Sequence, residues 1–324
     1  MNNFGYVRAA TVEEALHSFS EDPQAIYLAG GTNLVDHLKL GIARPSRLID
    51  IRRLGLDQIQ DSPHGGLSIG AGVTNSKLAY DEWVISRYPA LSQAILSGAG
   101  PQLRNVATVA GNLLQGVRCY YFRDGHSPCN RRNPGSGCSA AEGFNRIHAI
   151  LGTSDKCIAT HPSDMAVAMV AFAATVRTWG PNGERSIPIG EFFVPWGTVL
   201  ERGELIVGVD LPPTPWFARS TYVKARDRAS FEFALASAAV AVDLRGGVIH
   251  DCRIALGGVA TTPWRAHVAE SVLRGTQPGD RVFGEAAAAE LAPAVPWKHN
   301  GFKIELCNRV IVDALKSICS EVGA

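Results

Sequence analysis

The sequence lacks several features that would assign it to a class at once. Its 324 residues carry a formal net charge of +1, so no excess of basic residues points to nucleic acid or an anionic membrane surface. The longest apolar run, residues 165–176, is too short to span a bilayer. The N-terminus has neither a basic segment nor an apolar core, so we predict no signal peptide. These absences favour a soluble chain made in a reducing cytoplasm.

The cysteines lack the arrangements of common cysteine-rich proteins. Seven is an odd number and fits a fully paired disulfide framework poorly. No C-x2-C pair is present, although structural zinc sites and typical ferredoxins use such pairs. Four cysteines nevertheless fall in one short stretch, separated by nine, eight and eighteen residues, where prolines and glycines favour loops. They are Cys119, Cys129, Cys138 and Cys157.

Basic residues accompany this cysteine cluster. The four arginines are Arg118, Arg123, Arg131 and Arg132. Their charge could offset that of four thiolates and a metal cluster. The residue chemistry alone ranks an iron–sulfur cluster first, zinc second and disulfides third. The remaining cysteines lie in strand or helix patterns and are typical of small core residues; they are Cys252, Cys307 and Cys319.

A dinucleotide fingerprint is also missing. Residues 70–75 and 98–103 each begin with G-x-G but lack the third glycine of the G-x-G-x-x-G fingerprint. Residues 135–140 fit G-x-G-x-x-A, but no strand precedes them, and the motif has meaning only in a strand–turn–helix setting. We therefore predict no Rossmann NAD site. Hydrophobic residues make up 46% of the chain, and the alternation of strand and helix patterns predicts an α+β or α/β protein in two or three lobes.

Two glycine-rich segments are candidates for binding an anion. In LAGGTNL, residues 28–34, two glycines follow a strand, and Thr32 and Asn33 can cap the next helix, a setting that favours phosphate. In NVATVAGNLLQG, residues 105–116, small residues allow close approach to the backbone and Asn112 offers an amide. Taken alone, each segment is equally typical of an ordinary turn or glycine-rich loop.

Three further polar residues stand in suggestive places. Ser163 and Asp164 begin an apolar helix, where a carboxylate suits ribose or polyol hydroxyls, although a simple acidic helix start explains it equally well. Lys224 lies in a strand pattern and could meet a phosphate or a flavin edge. A lone strand lysine is more often just solvated.

Five segments together resemble one family in both order and spacing. They are LAGGTNL, IGAGVTNSKL, ATVAGNLLQ, HPSDMAVA and RIALGGVA. Their combination resembles the FAD-binding subunit of the xanthine dehydrogenase / molybdenum hydroxylase family over nearly the whole chain. The cysteine segment is similar to a narrower branch, the flavin subunits of bacterial aldehyde oxidoreductases of the periplasmic type, which contain an additional [4Fe–4S] cluster.

The resemblance implies a fold and a domain order. The fold class is α+β: a vanillyl-alcohol-oxidase (PCMH) type FAD-binding fold of two α/β lobes, followed by a C-terminal α+β domain like that of the carbon monoxide dehydrogenase flavoprotein. We expect FAD-binding lobe 1 over residues 1–55 and lobe 2 over 56–213, with an iron–sulfur insert at about 117–160. The C-terminal domain is expected over 214–324.

The resemblance also implies site residues, which are ligands of cofactors rather than acid–base catalysts. The expected FAD-binding residues are Leu28, Ala29, Gly30, Gly31, Thr32, Asn33, Leu34, Ala107, Thr108, Gly111, Asn112, Ser163, Asp164 and Lys224. The first seven would wrap the diphosphate, the next four the diphosphate and ribityl chain, and Lys224 would lie near the flavin. The expected [4Fe–4S] ligands are Cys119, Cys129, Cys138 and Cys157.

The implied function is electron transfer within an oxidoreductase complex. A molybdenum-cofactor large subunit would oxidise an aldehyde to a carboxylic acid. A small subunit with [2Fe–2S] clusters would pass electrons to the FAD of this chain and on to an external acceptor. The complex would be cytoplasmic, or periplasmic through the export signal of a partner. Two alternatives stay open: an autonomous flavin-dependent reductase on the same fold, and a structural subunit stabilised by zinc.

Overall fold

The computed structural model describes residues 1–63 and 65–320; residues 64 and 321–324, which belong to two of the expected domains, lie outside this description. The strands are β1 Gly5–Arg8, β2 Ile26–Leu28, β3 Arg47–Asp50, β4 Ile59–Asp61, β5 Leu67–Gly70, β6 Thr175–Gly180, β7 Gly183–Pro188, β8 Phe193–Val194, β9 Gly197–Thr198, β10 Leu205–Leu211, β11 Ser220–Ala225, β12 Ala236–Arg245, β13 Val248–Gly257 and β14 Trp264–Arg265.

The helices are α1 Val12–Glu21, α2 Leu34–Lys39, α3 Asn75–Ala79, α4 Glu82–Arg87, α5 Pro89–Ser97, α6 Pro101–Arg104, α7 Val109–Leu113, α8 Tyr120–Asp124, α9 Ser139–Glu142, α10 Asp164–Ala171, α11 Ile189–Phe192, α12 His267–Leu273, α13 Asp280–Leu291 and α14 Phe302–Cys319. A 3-10 turn covers Pro215–Ala218. Among the residues that the structure describes, no helix is long and apolar enough to cross a membrane.

The first sheet is small and parallel, with strand order β1-β3-β2. Helix α1 connects β1 to β2 and begins at Thr11, whose hydroxyl accepts a hydrogen bond from the Glu14 amide at 3.2 Å. The Glu14 carboxylate accepts in turn from the Ala10 amide at 2.8 Å. Such paired capping satisfies amides that the helix itself leaves free. Thr11 and Glu14 therefore fix the start of helix α1.

The second sheet is antiparallel, with order β4-β5-β10-β6-β7. The third, also antiparallel, has order β11-β12-β13-β14. Helix α10 lies between them, and all eight of its residues are buried, as expected for a helix that is apolar all round. Its core is continuous with Ala239, Ala241 and Ala255 of the third sheet.

The third sheet is buried on both faces. Alternate residues of β12 point in opposite directions, so Ala239 and Ala241 face α10 while Val240 and Val242 face a second core that includes α13 and α14. Small alanines on the first face let α10 approach the sheet closely. The chain is thus α+β. The three-domain division at residues 55 and 213 stays a prediction.

A long segment from Leu114 to Ser163 contains only two short helices and is fastened to the rest of the molecule by hydrogen bonds. The Ile150 amide donates to the Val259 carbonyl at 2.8 Å. Lys303 of α14 is fully buried, and its ammonium donates to the carbonyls of Ile147 at 3.3 Å, His148 at 2.9 Å and Gly258. One lysine therefore ties this segment and the end of β13 to α14.

Replacing that lysine should destabilise the protein selectively. We expect Lys303→Met to lower the free energy of unfolding by about 2–4 kcal/mol, because it leaves buried carbonyls without a donor. The control is Lys316→Met, since Lys316 is 44% exposed and pairs with an exposed carboxylate; its effect should stay within about 0.5 kcal/mol. Urea denaturation followed by tryptophan fluorescence measures both. Equal losses in the two variants would contradict the role given to Lys303.

Candidate functional site

The turn after β2 lies directly against the segment that leads into α7. An added Cβ on Gly30 would stand 2.0 Å from the Val106 carbonyl oxygen, far inside contact distance. Gly31 has φ of +72°, a conformation that residues with a side chain rarely adopt. The two glycines of LAGGTNL thus allow one backbone to touch the other and then turn sharply into α2.

Asn33 joins the same two segments through its side chain. It stands at the N-cap position of α2 but makes no capping hydrogen bond there, so the prediction that its side chain caps this helix is wrong. The Asn33 Oδ1 accepts instead from the Gly116 amide at 2.9 Å. The side chain is drawn away from its own helix because it satisfies an amide just beyond α7.

A cavity of about 270 Å³ opens between these segments, α5 and the start of α10. Six of the predicted FAD-binding residues line it: Thr32, Asn33, Ala107, Gly111, Asn112 and Asp164. The other eight lie beside it. Leu28, Ala29, Gly30 and Gly31 form the turn, Leu34 begins α2, Thr108 caps α7, Ser163 caps α10, and Lys224 projects from β11.

Two capping residues fix the polar wall of this cavity. The Thr108 hydroxyl accepts from the Gly111 amide at 3.2 Å and holds the first turn of α7. The Ser163 hydroxyl accepts from the Ala166 amide at 3.0 Å and donates to Asn112 Oδ1 at 2.6 Å. The starts of two helices therefore meet at Asn112.

Asp164 is the buried charge of the site. Its side chain is 9% exposed, and Lys224 Nζ donates to its Oδ2 at 2.8 Å while the Tyr222 hydroxyl donates to its Oδ1 at 2.6 Å. Lys224 also donates to the Ser97 carbonyl at 3.1 Å. Burial and the neighbouring carboxylate raise the pKa of Tyr222 well above its usual value, so its hydroxyl stays a donor. Lys224 therefore pairs with the Asp164 carboxylate and holds it in position.

A second cavity, of about 340 Å³, adjoins the first and shares part of its wall. Several residues of the two walls escaped the sequence analysis: Asp36, Asn75, Arg104, Gln115, Phe231, Glu232 and Phe233. Asn75 and Gln115 lie within the segments IGAGVTNSKL and NVATVAGNLLQG but were not assigned to the site, and the other five belong to no recognisable motif. Arg118 was assigned to the cysteine cluster because it precedes Cys119. In the structure it lines both cavities, and its guanidinium lies 4.8 Å from the Phe233 ring centre.

The four clustered cysteines line one narrow cavity of about 10 Å³, room for about one water molecule. His148 Nε2 lies 3.2 Å from Cys119 Sγ, and Arg131 Nε donates to Cys157 Sγ at 3.4 Å. Burial raises the pKa of the Cys119 thiol to about 11. Within the described residues, no three potential ligands stand together as a metal ion would require.

The other basic residues of this segment have different partners. Arg123 pairs with Asp36, and Arg132 Nη1 donates to the carbonyls of Tyr121 at 2.7 Å and Phe122 at 2.8 Å. Of the four arginines, Arg131 is therefore the one in hydrogen-bond contact with a cysteine sulfur, Arg132 binds carbonyls of the loop, and Arg123 and Arg118 have partners outside the cysteine cavity. The three remaining cysteines lie in core positions, as predicted: Cys252 in β13, and Cys307 and Cys319 in α14.

Two protein families match successive parts of the chain. Residues 2–214 match the FAD binding domain in molybdopterin dehydrogenase, and residues 220–318 match the carbon monoxide dehydrogenase flavoprotein C-terminal domain. The FAD-binding subunit PaoB of aldehyde oxidoreductase from Escherichia coli K12 is 48% identical over 322 residues, covering 97% of this chain and 98% of that protein. The glyceraldehyde dehydrogenase medium chain of Sulfolobus acidocaldarius is 27% identical with the same coverage.

Solved structures share the fold over the full length. Quinoline 2-oxidoreductase from Pseudomonas putida 86 aligns with a TM-score of 0.79 at 23% identity, covering 100% of this chain and 99% of that chain. Carbon monoxide dehydrogenase from Hydrogenophaga pseudoflava aligns with a TM-score of 0.78 at 26% identity, covering 98% of each. The predicted fold class is confirmed.

The fold and the cavity between its glycine-rich segments define a flavoprotein subunit. The chain belongs to the family of FAD-binding subunits of molybdenum hydroxylases, which are components of oxidoreductase complexes. The resemblance seen in the sequence is thereby confirmed. Which residues contact FAD stays a prediction.

The contact between the two glycine-rich segments should be intolerant of any side chain. We expect Gly30→Ala to push the segments apart, to weaken FAD binding at least about tenfold and to lower the free energy of unfolding by about 1–3 kcal/mol. Fluorescence titration of the deflavinated chain with FAD measures the first effect.

Gly190→Ala is the matched control, because an added Cβ there meets nothing within 4 Å. Unchanged FAD affinity in Gly30→Ala would contradict the assignment of this turn to the cofactor.

The buried pair of Asp164 and Lys224 should show strong coupling. We expect Lys224→Met alone to cost about 3–5 kcal/mol, because it strands a buried carboxylate. Combination with Asp164→Asn should recover at least about 1 kcal/mol relative to the sum of the single variants. Urea denaturation of the FAD-free wild type, both single variants and the double variant measures the four free energies of unfolding that this double-mutant cycle needs.

The control cycle uses Arg281 and Glu285, an exposed pair one helical turn apart. Its coupling should not exceed about 0.5 kcal/mol. Additive losses at Asp164 and Lys224 would show that the pair contributes no interaction of its own.

Proposed function

We propose that this chain is the FAD-binding electron-transfer subunit of a molybdenum-dependent aldehyde oxidoreductase. The observation that carries the proposal is the cavity formed where the turn after β2 touches the segment before α7, with buried Asp164 at its inner wall. The 48% identity to a named aldehyde oxidoreductase subunit over almost the entire length supports the substrate class.

The proposed contacts follow the chemistry of FAD. The turn of residues 28–34 and the start of α7 present backbone amides and small residues, which suit a diphosphate. Asn112, Ser163 and Asp164 present an amide, a hydroxyl and a carboxylate, which suit the hydroxyls of the ribityl chain or ribose. Lys224 and Tyr222 hold the carboxylate in place. When bound, FAD supplies an acceptor that takes electrons singly and releases them singly or in pairs.

The partners in this proposal are a molybdenum-cofactor large subunit, which oxidises the aldehyde, and a small subunit with [2Fe–2S] clusters, which delivers electrons. Relatives named as medium chains or FAD-binding subunits support an assembly of several chains. The task of this chain is then to bind and orient FAD between the small subunit and an external acceptor. The complex works in the cytoplasm, or in the periplasm after export with a partner.

We also propose that Cys119, Cys129, Cys138 and Cys157 hold a [4Fe–4S] cluster. Four sulfur atoms around one cavity are the donor set that such a cluster requires, and the donor on Arg131 suits charged sulfur. A volume of about 10 Å³ is smaller than a cluster, so binding requires the four segments to move apart. Loops, rather than helices or strands, carry these residues and can make that adjustment.

Iron analysis decides between the cluster and its alternatives. We expect the purified chain to contain FAD and about four iron atoms, with flavin absorption and a broad brown shoulder. Cys129→Ser should lose the iron and keep the FAD. The control, Cys319→Ser, should keep both, because Cys319 lies in α14 away from the cavity.

Other results would overturn specific parts of the proposal. A colourless protein containing zinc would favour the structural subunit. Steady-state turnover by the isolated chain would favour the autonomous reductase. Loss of thermal stability in Cys129→Ser with unchanged reduction of FAD would show that the cluster is a structural staple and not an electron relay.

A further inference from the structure

Arg118 is a cation in the wall of the proposed FAD cavity. We propose that its guanidinium is the counter-charge for an anionic group of bound FAD, either the diphosphate or the isoalloxazine ring when it gains negative charge on reduction. This inference rests on the proposed FAD site and adds to it a residue that lies outside the glycine-rich segments.

The side chain of Arg118 is already held in position. Its Nη1 donates to the Gly116 carbonyl at 2.9 Å, and its Nη2 donates to Gln115 Oε1 at 3.2 Å. The guanidinium lies over the Phe233 ring, 4.8 Å from the ring centre. A planar cation fixed in this way loses little freedom when it meets an anion, which favours recognition.

Two acidic residues around the cavity are paired with other cations, although Asp36 also attracts Arg118 over a longer distance. Asp164 pairs with Lys224, and Asp36 pairs with Arg123. In residues 1–63 and 65–320, no carboxylate lies within 4.0 Å of Arg118, although Glu232 shares both cavity walls with it. Arg118 therefore keeps its charge available for a ligand.

Arg104, the other arginine in the wall, serves a different purpose. Its Nη1 donates to the carbonyls of Leu96, Gly98 and Ala99 at 3.3, 2.8 and 3.2 Å, at the end of α5. That arrangement holds the chain after the helix and compensates its negative end. By contrast, within the described part of the chain Arg118 donates one hydrogen bond to a backbone carbonyl and one to a side-chain amide oxygen. It is the better placed of the two to receive an anion.

Burial strengthens the case. Arg118 is half-buried and lines the walls of both cavities. A charge that is partly removed from water without a paired carboxylate gains most when an anion arrives, because the ligand then replaces lost hydration. Arginine also matches phosphate oxygens with two parallel donors.

The test compares the affinities of oxidised and reduced FAD for the deflavinated wild-type chain, Arg118→Met and Arg118→Lys. If Arg118 meets the diphosphate, Arg118→Met should weaken both forms roughly 10- to 100-fold. If it meets the ring, the reduced form alone should weaken at least tenfold, equivalent to a fall of about 30 mV in the two-electron midpoint potential. Arg118→Lys should lie between Arg118→Met and the wild type, because lysine lacks the planar fork.

Arg87→Met is the matched control. Arg87 is also stacked on an aromatic ring, Trp83 at 5.5 Å, but lies outside both cavities. FAD affinity and midpoint potential should not change there.

Each of the remaining experimental outcomes would contradict one part of the proposal. A wild-type chain that binds no FAD overturns the proposed function itself. Wild-type affinities and potential in Arg118→Met overturn the role of Arg118 alone. If Arg118→Met fails to fold, as judged by circular dichroism, the polar but uncharged variant Arg118→Gln decides: wild-type affinity for both forms of FAD in that variant would reject the counter-charge.

Discussion

The contact between Gly30 and the Val106 carbonyl is the constraint on which the proposed cofactor site depends. The two segments come from different parts of the chain, and the parallel sheet delivers one while α6 and α7 deliver the other. Only an absent side chain lets them meet, since an added Cβ would lie 2.0 Å from the carbonyl oxygen. Asn33 then fastens the second segment through the Gly116 amide. The cavity opens beside this contact, between the turn after β2, α5 and the start of α10.

The inner wall of the cavity contains a buried carboxylate, which needs hydrogen-bond and charge partners because little water reaches it. Asp164 begins α10 between the two antiparallel sheets, and Lys224 reaches it from β11 of the third. A buried charge pair of this kind contributes little net stability, but removal of either partner is costly. The pair therefore fixes α10, β11 and the carboxylate in one geometry. In this arrangement Lys224 is a positioning residue for Asp164.

The sequence predicted the local parts of the site better than the long-range ones. The glycine-rich turn of residues 28–34 and the helix start at Ser163 depend on neighbours within four residues and could be predicted, although the cap expected at Asn33 could not. The partner of Lys224 and the bond from Gly116 to Asn33 join residues 60 and 83 positions apart. No spacing rule anticipates such contacts. Phe231, Glu232 and Phe233 reach the cavity through a loop whose course is set by tertiary packing alone.

Arg118 and Cys119 show how closely the two proposed cofactor sites are joined. These two residues are neighbours in the sequence but line different cavities. Arg118 lines the proposed FAD cavity, and Cys119 lines the narrow cavity formed by the four cysteines. His148, which contacts Cys119 Sγ, is anchored in turn by the Lys303 ammonium through its carbonyl. A single peptide bond thus forms part of both walls. The proposed FAD cavity and the proposed cluster cavity are therefore adjacent along the chain at this point.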